Sequence, residues 1–319
     1  MNTLRTLAVV LIALAASIAS AEQTGPRRQV LAADYSKGRG HLALVDADGK
    51  ALWKHPIRNI HDVHELDNGH ILFQSDWTTL VELDPTSGKI VWQYDAKTNG
   101  NENRPVEVHA FQRLPDGRTM IAESGPGRII EVDRDGRIVH ELKLQVAKPS
   151  PHRDTRNVRK LDSGNYLVAH EAEGAVREYD SRGKVVWEYI VPLFGKEPRG
   201  GHAAEAFGNA VYSAVRLPNG NTLIGTGNGH SVLEVTPGKD IVWQVHQRDI
   251  PGVTLAWVTQ VGRLANGNTI IVNCHAGPDQ PQMIEITPGK KVVWSFRDFE
   301  TFGDAMPVGL VIDGDYLAR

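Results

Sequence analysis

Apolar residues run in short stretches, each closed by a glycine-bearing turn, and one polar–apolar phrase keeps returning. Leu66-Asp67-Asn68-Gly69, Leu114-Pro115-Asp116-Gly117, Leu161-Asp162-Ser163-Gly164, Leu217-Pro218-Asn219-Gly220 and Leu264-Ala265-Asn266-Gly267 space their leucines 48, 47, 56 and 47 residues apart. An apolar strand follows each phrase, such as Thr222-Leu223-Ile224. Next comes a strand with Glu before an apolar residue: Glu82-Leu83, Glu131-Val132, Glu178-Tyr179, Glu234-Val235, Glu285-Ile286. After a second glycine turn, a strand carries Trp53, Trp92, Trp187, Trp243 or Trp294, and His140 takes that place in one copy. Each unit reads as four short strands joined by hairpins.

Four-stranded units at this period are the signature of a β-propeller. Counting the Trp-position strands gives six blades. The N-terminal part supplies three strands (30–34, 42–46 and 51–57) and the C-terminal part a lone one (307–312), so one blade is expected to be shared by both ends. That closure satisfies strand edges that would otherwise invite aggregation. The fold class is therefore all-β, a single six-bladed propeller over 22–319.

Composition narrows the function classes. The 319 residues are 41% hydrophobic and 23% charged, with formal net charge −3, which excludes a disordered chain and offers no basic field for nucleic acid. The 1 Cys, Cys274, excludes an internal disulfide and a Cys-built metal or redox site. Residues 1–21 read as a secretory signal peptide: a short basic start, an apolar run from Thr6 to Ser20, and Ala19-Ser20-Ala21 before a cleavage site. The expected mature protein starts at Glu22, works in a periplasm or outside the cell, is a monomer and has no membrane attachment. A protein partner stays open.

The Asp-x-x-Gly-Lys-x-x-Trp phrase at Asp46 to Trp53, with similar phrases at Asp84 to Trp92 and Asp180 to Trp187, resembles the quinoprotein-type, PQQ-like propeller repeat. Ser213 to Trp243, with its Leu-Pro-Asn-Gly-Asn-Thr-Leu-Ile core, is similar to the six-bladed arylsulfotransferase-like propellers. The first resemblance implies a redox quinone. The quinone dehydrogenases, however, have eight blades and adjacent cysteines, so pyrroloquinoline quinone is not expected here. The second resemblance implies a channel-mouth histidine that takes a sulfuryl group and passes it to a phenol.

Comparing the blades with one another separates scaffold from site. A residue repeated in every blade serves folding, which makes the Trp and Glu columns structural. Residues that differ between blades at equivalent places are free to serve a ligand. Five positions before the repeat leucine stand His61, His109, Arg156, Tyr212 and Thr259; four before it stand Asp62, Ala110, Asn157, Ser213 and Gln260. The second strands end at Ser75, Glu123, His170, Thr226 and Asn273, with His275 just beyond and His202 in the long loop 192–209. These positions are expected to ring one mouth of the central channel, where the inter-blade loops vary in length.

His61, His109, His170, Arg156 and Glu123 are the candidate catalytic residues. Asp62, Asn157, Tyr212, Gln260, Asn273, His275 and His202 are the candidate ligand contacts. Arg156 offers a donor fork for an anion. The histidines can move protons near neutrality, and Glu123 with His170 could form an acid–base pair. Such a mouth suits a small anionic or oxygen-rich ligand, in an arylsulfotransferase-like or carbohydrate-active enzyme. A divalent metal held by histidines and Glu123 is compatible with it. The competing class is a non-catalytic scaffold for proteins or glycans. A deep pocket with converging His61, His109, Arg156 and His170 would favour the enzyme, and a shallow aromatic face with Trp77, Trp257, Phe207 and Tyr212 the platform.

Overall fold

The computed structural model describes residues 22–319 except Lys37, Arg39 and Asp313; the signal-peptide segment 1–21 lies outside the described residues. The described chain forms six antiparallel sheets arranged as the blades of a propeller. Blade 1 runs, from the channel outward, Val308–Val311, Val30–Asp34, His41–Val45, Ala51–Pro56. Blade 2 spans Val63–Glu65 to Lys89–Asp95, blade 3 Glu107–Arg113 to Ile138–Lys143, and blade 4 Asn157–Lys160 to Val185–Ile190. Blade 5 spans Ser213–Arg216 to Ile241–Val245, and blade 6 Trp257–Leu264 to Val292–Arg297. Blade 1 is thus built from both ends of the chain, Val30 pairing with Val311 and Ala33 with Val308.

The ends also close the ring a second time, which the repeat pattern did not suggest. Glu22–Thr24 pairs with the outer strand of blade 6, and Tyr316–Ala318 with its inner strand. Gly25 makes the outer contact feasible: it sits at φ 81°, and a Cβ there would stand 2.1 Å from the Val293 carbonyl oxygen. Three-residue strands carry too short a pattern to be read from sequence.

The core is divided into wedges between neighbouring blades. Leu31, Phe73 and Leu310 fill one between blades 1 and 2, and Leu80, Phe111 and Ile121 fill the next. The two structural columns bolt these wedges together. Arg113, Arg216 and Arg263 each stand just before a repeat leucine and each reach back to the preceding blade's Glu82, Glu178 and Glu234 at 2.7 Å. The same guanidinium groups lie over the rings of Trp92, Trp187 and Trp243 at 4.8, 5.4 and 5.0 Å. Lys160 pairs with Glu131 in the same way, and Arg28 closes the ring on Glu285 and Trp294. A charge pair and a cation–π contact therefore recur at successive seams. His140 stacks on Tyr166 at 6.2 Å, an aromatic contact in the Trp position.

Each outer strand carries a β-bulge opposite the Glu column, whose place Leu44 takes in blade 1. Glu82 pairs with Trp92 but Leu83 with Ile90, so Val91 is left over. The same shift leaves over Leu52, Val139, Val186 and Val242. These are among the exposed large aliphatic side chains of the outer rim. Bulges kink an edge strand and hinder further strand addition.

Among the described residues no helix is long and apolar enough to cross a membrane.

Candidate functional site

The inner strands of blades 3 and 6 also carry a bulge, and it falls on the column of dissimilar residues. In blade 3 Ala122 pairs with Ala110 and Glu123 with Val108, so His109 is the extra residue. In blade 6 the extra residue is Thr259. A bulge re-aims the side chain it leaves over. His61, Arg156 and Tyr212, which stand just before the inner strands of blades 2, 4 and 5, meet the bulged His109 at the mouth.

His61 and His109 face each other, with Nδ1 atoms 3.2 Å apart and rings at 83°. The Trp77 ring stacks on His61 at 5.3 Å and 18° and meets His109 and His152 edge-on. Tyr212 lies 6.0 Å from His61 on the other side, under the Arg156 guanidinium at 4.8 Å. The patch continues through Trp257, edge-on to Tyr212 at 6.1 Å. His202, from the long loop, packs on Trp257 at 4.6 Å and on His275 at 5.3 Å.

Charge at this patch differs from the expected anion site. Arg156 is buried, and its fork is fully engaged. Nε donates to Glu171 at 2.6 Å, Nη2 to the His152 carbonyl at 2.5 Å, and Nη1 faces His109 Nδ1 at 3.3 Å. Glu171 thus neutralises the cation that an anionic ligand would need. Burial first, and then the Arg156 charge, pushes His61 well below the usual imidazole range and His109 down to about 4. Both rings are neutral at physiological pH. Burial raises Glu107, but bonds from His109 and His152 more than offset this and bring it down to about 2.

Glu107 and His152 were absent from the sequence candidates. Glu107 Oε2 lies 3.1 Å from His109 Nε2 and 2.9 Å from His152 Nδ1. Glu107 and His109 stand two apart on one strand, the spacing of a shared face, and the bulge at His109 leaves them adjacent; that spacing was the available signal. His152 lies on an irregular loop, where no periodicity marks it.

Other candidates lie elsewhere. Glu123 is fully buried, bonded to Arg128 at 2.6 Å, Asn101 at 2.8 Å and the Tyr94 hydroxyl at 3.1 Å. His170 is held by the Asp154 carbonyl at 2.8 Å and the Tyr179 hydroxyl at 2.9 Å. Neither joins the other nor the histidine patch, because the second-strand ends turn into the wedges between blades. Asn157 accepts from the Ala214 backbone and Gln260 from that of Gly309, tying neighbouring blades. Asn273 braces its own blade through Ala256, Thr254 and Pro281. Asp62 lies deeper in the channel, paired with Arg159. Phe207 stays in the long loop, under Lys196 at 4.9 Å.

The channel beneath the mouth is nearly filled. Its cavity of about 30 Å³ is lined by Val63, Asn157, Arg159, Gln260 and Tyr316, enough for roughly one water. The open clefts, of about 670 and 620 Å³, lie on the opposite, turn-bearing face. The mouth itself is lined by the rings of Trp77, His61, Tyr212 and Trp257.

A family model described as outer membrane protein assembly factor BamB matches residues 38–265. No curated protein matches the chain. Among solved structures, a protein of unknown function from Bacteroides caccae is similar with a TM-score of 0.73 and 25% identity, over 89% of this chain and 98% of that one. A virginiamycin B lyase from Staphylococcus aureus, with quinupristin, has a TM-score of 0.55 and 13% identity over 87% and 86% of the two chains. The WD40 β-propeller domain of Doa1 has a TM-score of 0.52 and 15% identity over 76% and 70%. The latter two share the propeller fold alone.

Proposed function

The chain belongs to the PQQ-repeat propeller family described as outer membrane protein assembly factor BamB, and on that footing we propose that it binds a ring-bearing, oxygen-rich small molecule at its loop-rich mouth. The observation that carries this is the half-buried Trp77 stacked on His61, with His109 and His152 at its edge. A flat π-face beside the neutral imidazoles of His61 and His109 suits a saccharide or similar hydroxyl-bearing ring. The ring covers the indole, while the imidazoles exchange hydrogen bonds with hydroxyl or carbonyl groups. Sulfuryl recognition is less well supported, because Arg156 already serves Glu171. Neutral imidazoles could also accept a proton from a bound hydroxyl. The apolar segment from Thr6 to Ser20 supports export to a periplasm or beyond as part of the same proposal.

The test is a thermal-shift and tryptophan-fluorescence screen of uronic-acid oligosaccharides, neutral oligosaccharides and aryl sulfates. A saccharide hit that Trp77→Ala abolishes with little change in melting temperature supports the proposal. Aryl-sulfate binding without any saccharide binding, or a saccharide hit indifferent to Trp77→Ala, overturns it. The family's description favours a second reading, a scaffold for other proteins. Its mark would be capture of an envelope protein that mouth substitutions leave intact.

A further inference from the structure

Glu107 and His109 come from one strand of blade 3, and His152 from the loop that leads into blade 4. Their ligating atoms, the Glu107 carboxylate oxygen, His109 Nε2 and His152 Nδ1, all lie within 4.8 Å of one another. The two closest separations are 2.9 and 3.1 Å. Ligands of a tetrahedral ion with bonds of about 2.1 Å sit roughly 3.4 Å apart, so small side-chain adjustments accommodate an ion.

We infer that Glu107, His109 and His152 bind a divalent transition-metal ion through two imidazoles and one carboxylate. This donor set is borderline in softness and suits zinc and its neighbours rather than calcium or magnesium. Three protein ligands leave a coordination position open. That position faces outward, since the His152 side chain is 52% exposed while His109 is fully buried. An orienting group is present as well. With Nε2 on the ion, His109 carries its proton on Nδ1, and His61 Nδ1 stands 3.2 Å away to accept it. Ion binding thus selects the tautomer that donates to His61 over the one that accepts from Arg156. The site shares His109 and His152 with the ligand surface proposed above, but zinc titration without saccharide tests it alone, so each can fail separately.

The experiment is calorimetric titration of zinc(II) into chelator-treated, untagged full chain, with cobalt(II) absorption as a second readout. One ion per chain is expected, with a visible cobalt band. His152→Ala and Glu107→Gln should each weaken zinc binding about 100-fold, at the upper end of what loss of even an outer-shell partner costs, and remove the band. His152 is half exposed, so its variant should keep the wild-type melting temperature in chelator. His202→Ala, outside the triad, should bind zinc normally. Absence of saturable zinc binding overturns the inference. So does binding that survives both triad substitutions or that is lost in His202→Ala.

Discussion

Asp62 and Arg159 meet across the central channel, with Oδ2 2.7 Å from Nη1 and Oδ1 3.0 Å from Nη2. They come from blades 2 and 4, so the pair spans the seam that blade 3 occupies. Asp62 is buried and also bears His64 at 3.2 Å. A buried pair of this kind contributes little net stability against an apolar substitute, yet breaking it from one side strands a charge. Asp62→Asn should therefore lower unfolding free energy by about 3 kcal/mol, measured by urea denaturation. A double Asp62→Asn, Arg159→Met chain should recover part of that loss.

The same pair sets an acid dependence. Burial raises the Asp62 pKa, but Arg159 and then His64 outweigh it and hold the carboxyl well below the usual carboxylate range. A depressed carboxylate contributes stability that is full above its unfolded value, about 3.9, and is lost as pH falls toward the folded value. The stability gap between wild type and Asp62→Asn should accordingly be constant from pH 5 upward and narrow below about pH 4. Urea midpoints measured between pH 3 and 7 check this, and a gap that widens in acid would refute it.

Arg263 serves two neighbours in the preceding blade: Glu234 at 2.7 Å and the Trp243 ring at 5.0 Å. Removing it strands a largely buried carboxylate that keeps only the Asn221 amide at 2.8 Å. Arg263→Ala should cost about 2 kcal/mol. Arg263→Lys should restore less than half of it, because an ammonium lacks the planar fork and stacks poorly. Chemical denaturation of the three proteins distinguishes these outcomes.

Glu123 looked catalytic by position and is a brace by geometry. Its two oxygens hold Arg128, Asn101 and Tyr94. Glu123→Gln should destabilise the fold by about 2–3 kcal/mol, while Arg128 keeps Glu141 at 3.2 Å and the Asn99 carbonyl at 2.9 Å. Ligand or zinc binding by the folded fraction should be unchanged. Loss of binding with normal stability would return Glu123 to the site.

The reason such a residue misleads is physical. Gly, Trp and Glu recur because every blade needs the same turn, wedge and seam, so the propeller and its shared blade could be read from the repeat. His61, His109, Arg156 and Tyr212 could be read too, since a shared inner-strand position aims them at one place. Position on a strand does not say which wall a side chain meets once a bulge shifts the register. The bulge at His109 therefore separates it from Glu123 in direction although the two are close in the ladder. Arg156 read as a free donor fork in sequence and is an occupied one in the structure, because Glu171, fifteen residues away, returns beside it on a short 3-10 turn. Glu107 and His152 become neighbours only through the conformation of an irregular loop.

The second closure of the ring gives the last prediction. Glu22–Thr24 lies along the outer strand of blade 6, and Gln23 Oε1 accepts the Trp294 indole proton at 2.9 Å. The bulged residue Val293, unlike its counterparts in the other blades, is covered by this segment. Gly25→Val would force a side chain to within 2.1 Å of the Val293 carbonyl at a φ of 81°, which a β-branched residue avoids. The N-terminal strand should then detach, at about 1–2 kcal/mol in stability, and leave the other blades intact. Hydrogen exchange should rise at residues 292–297 and 22–24 while residues 166–179 keep wild-type protection. Uniform loss of protection around the ring would mean instead that this strand holds the whole propeller closed.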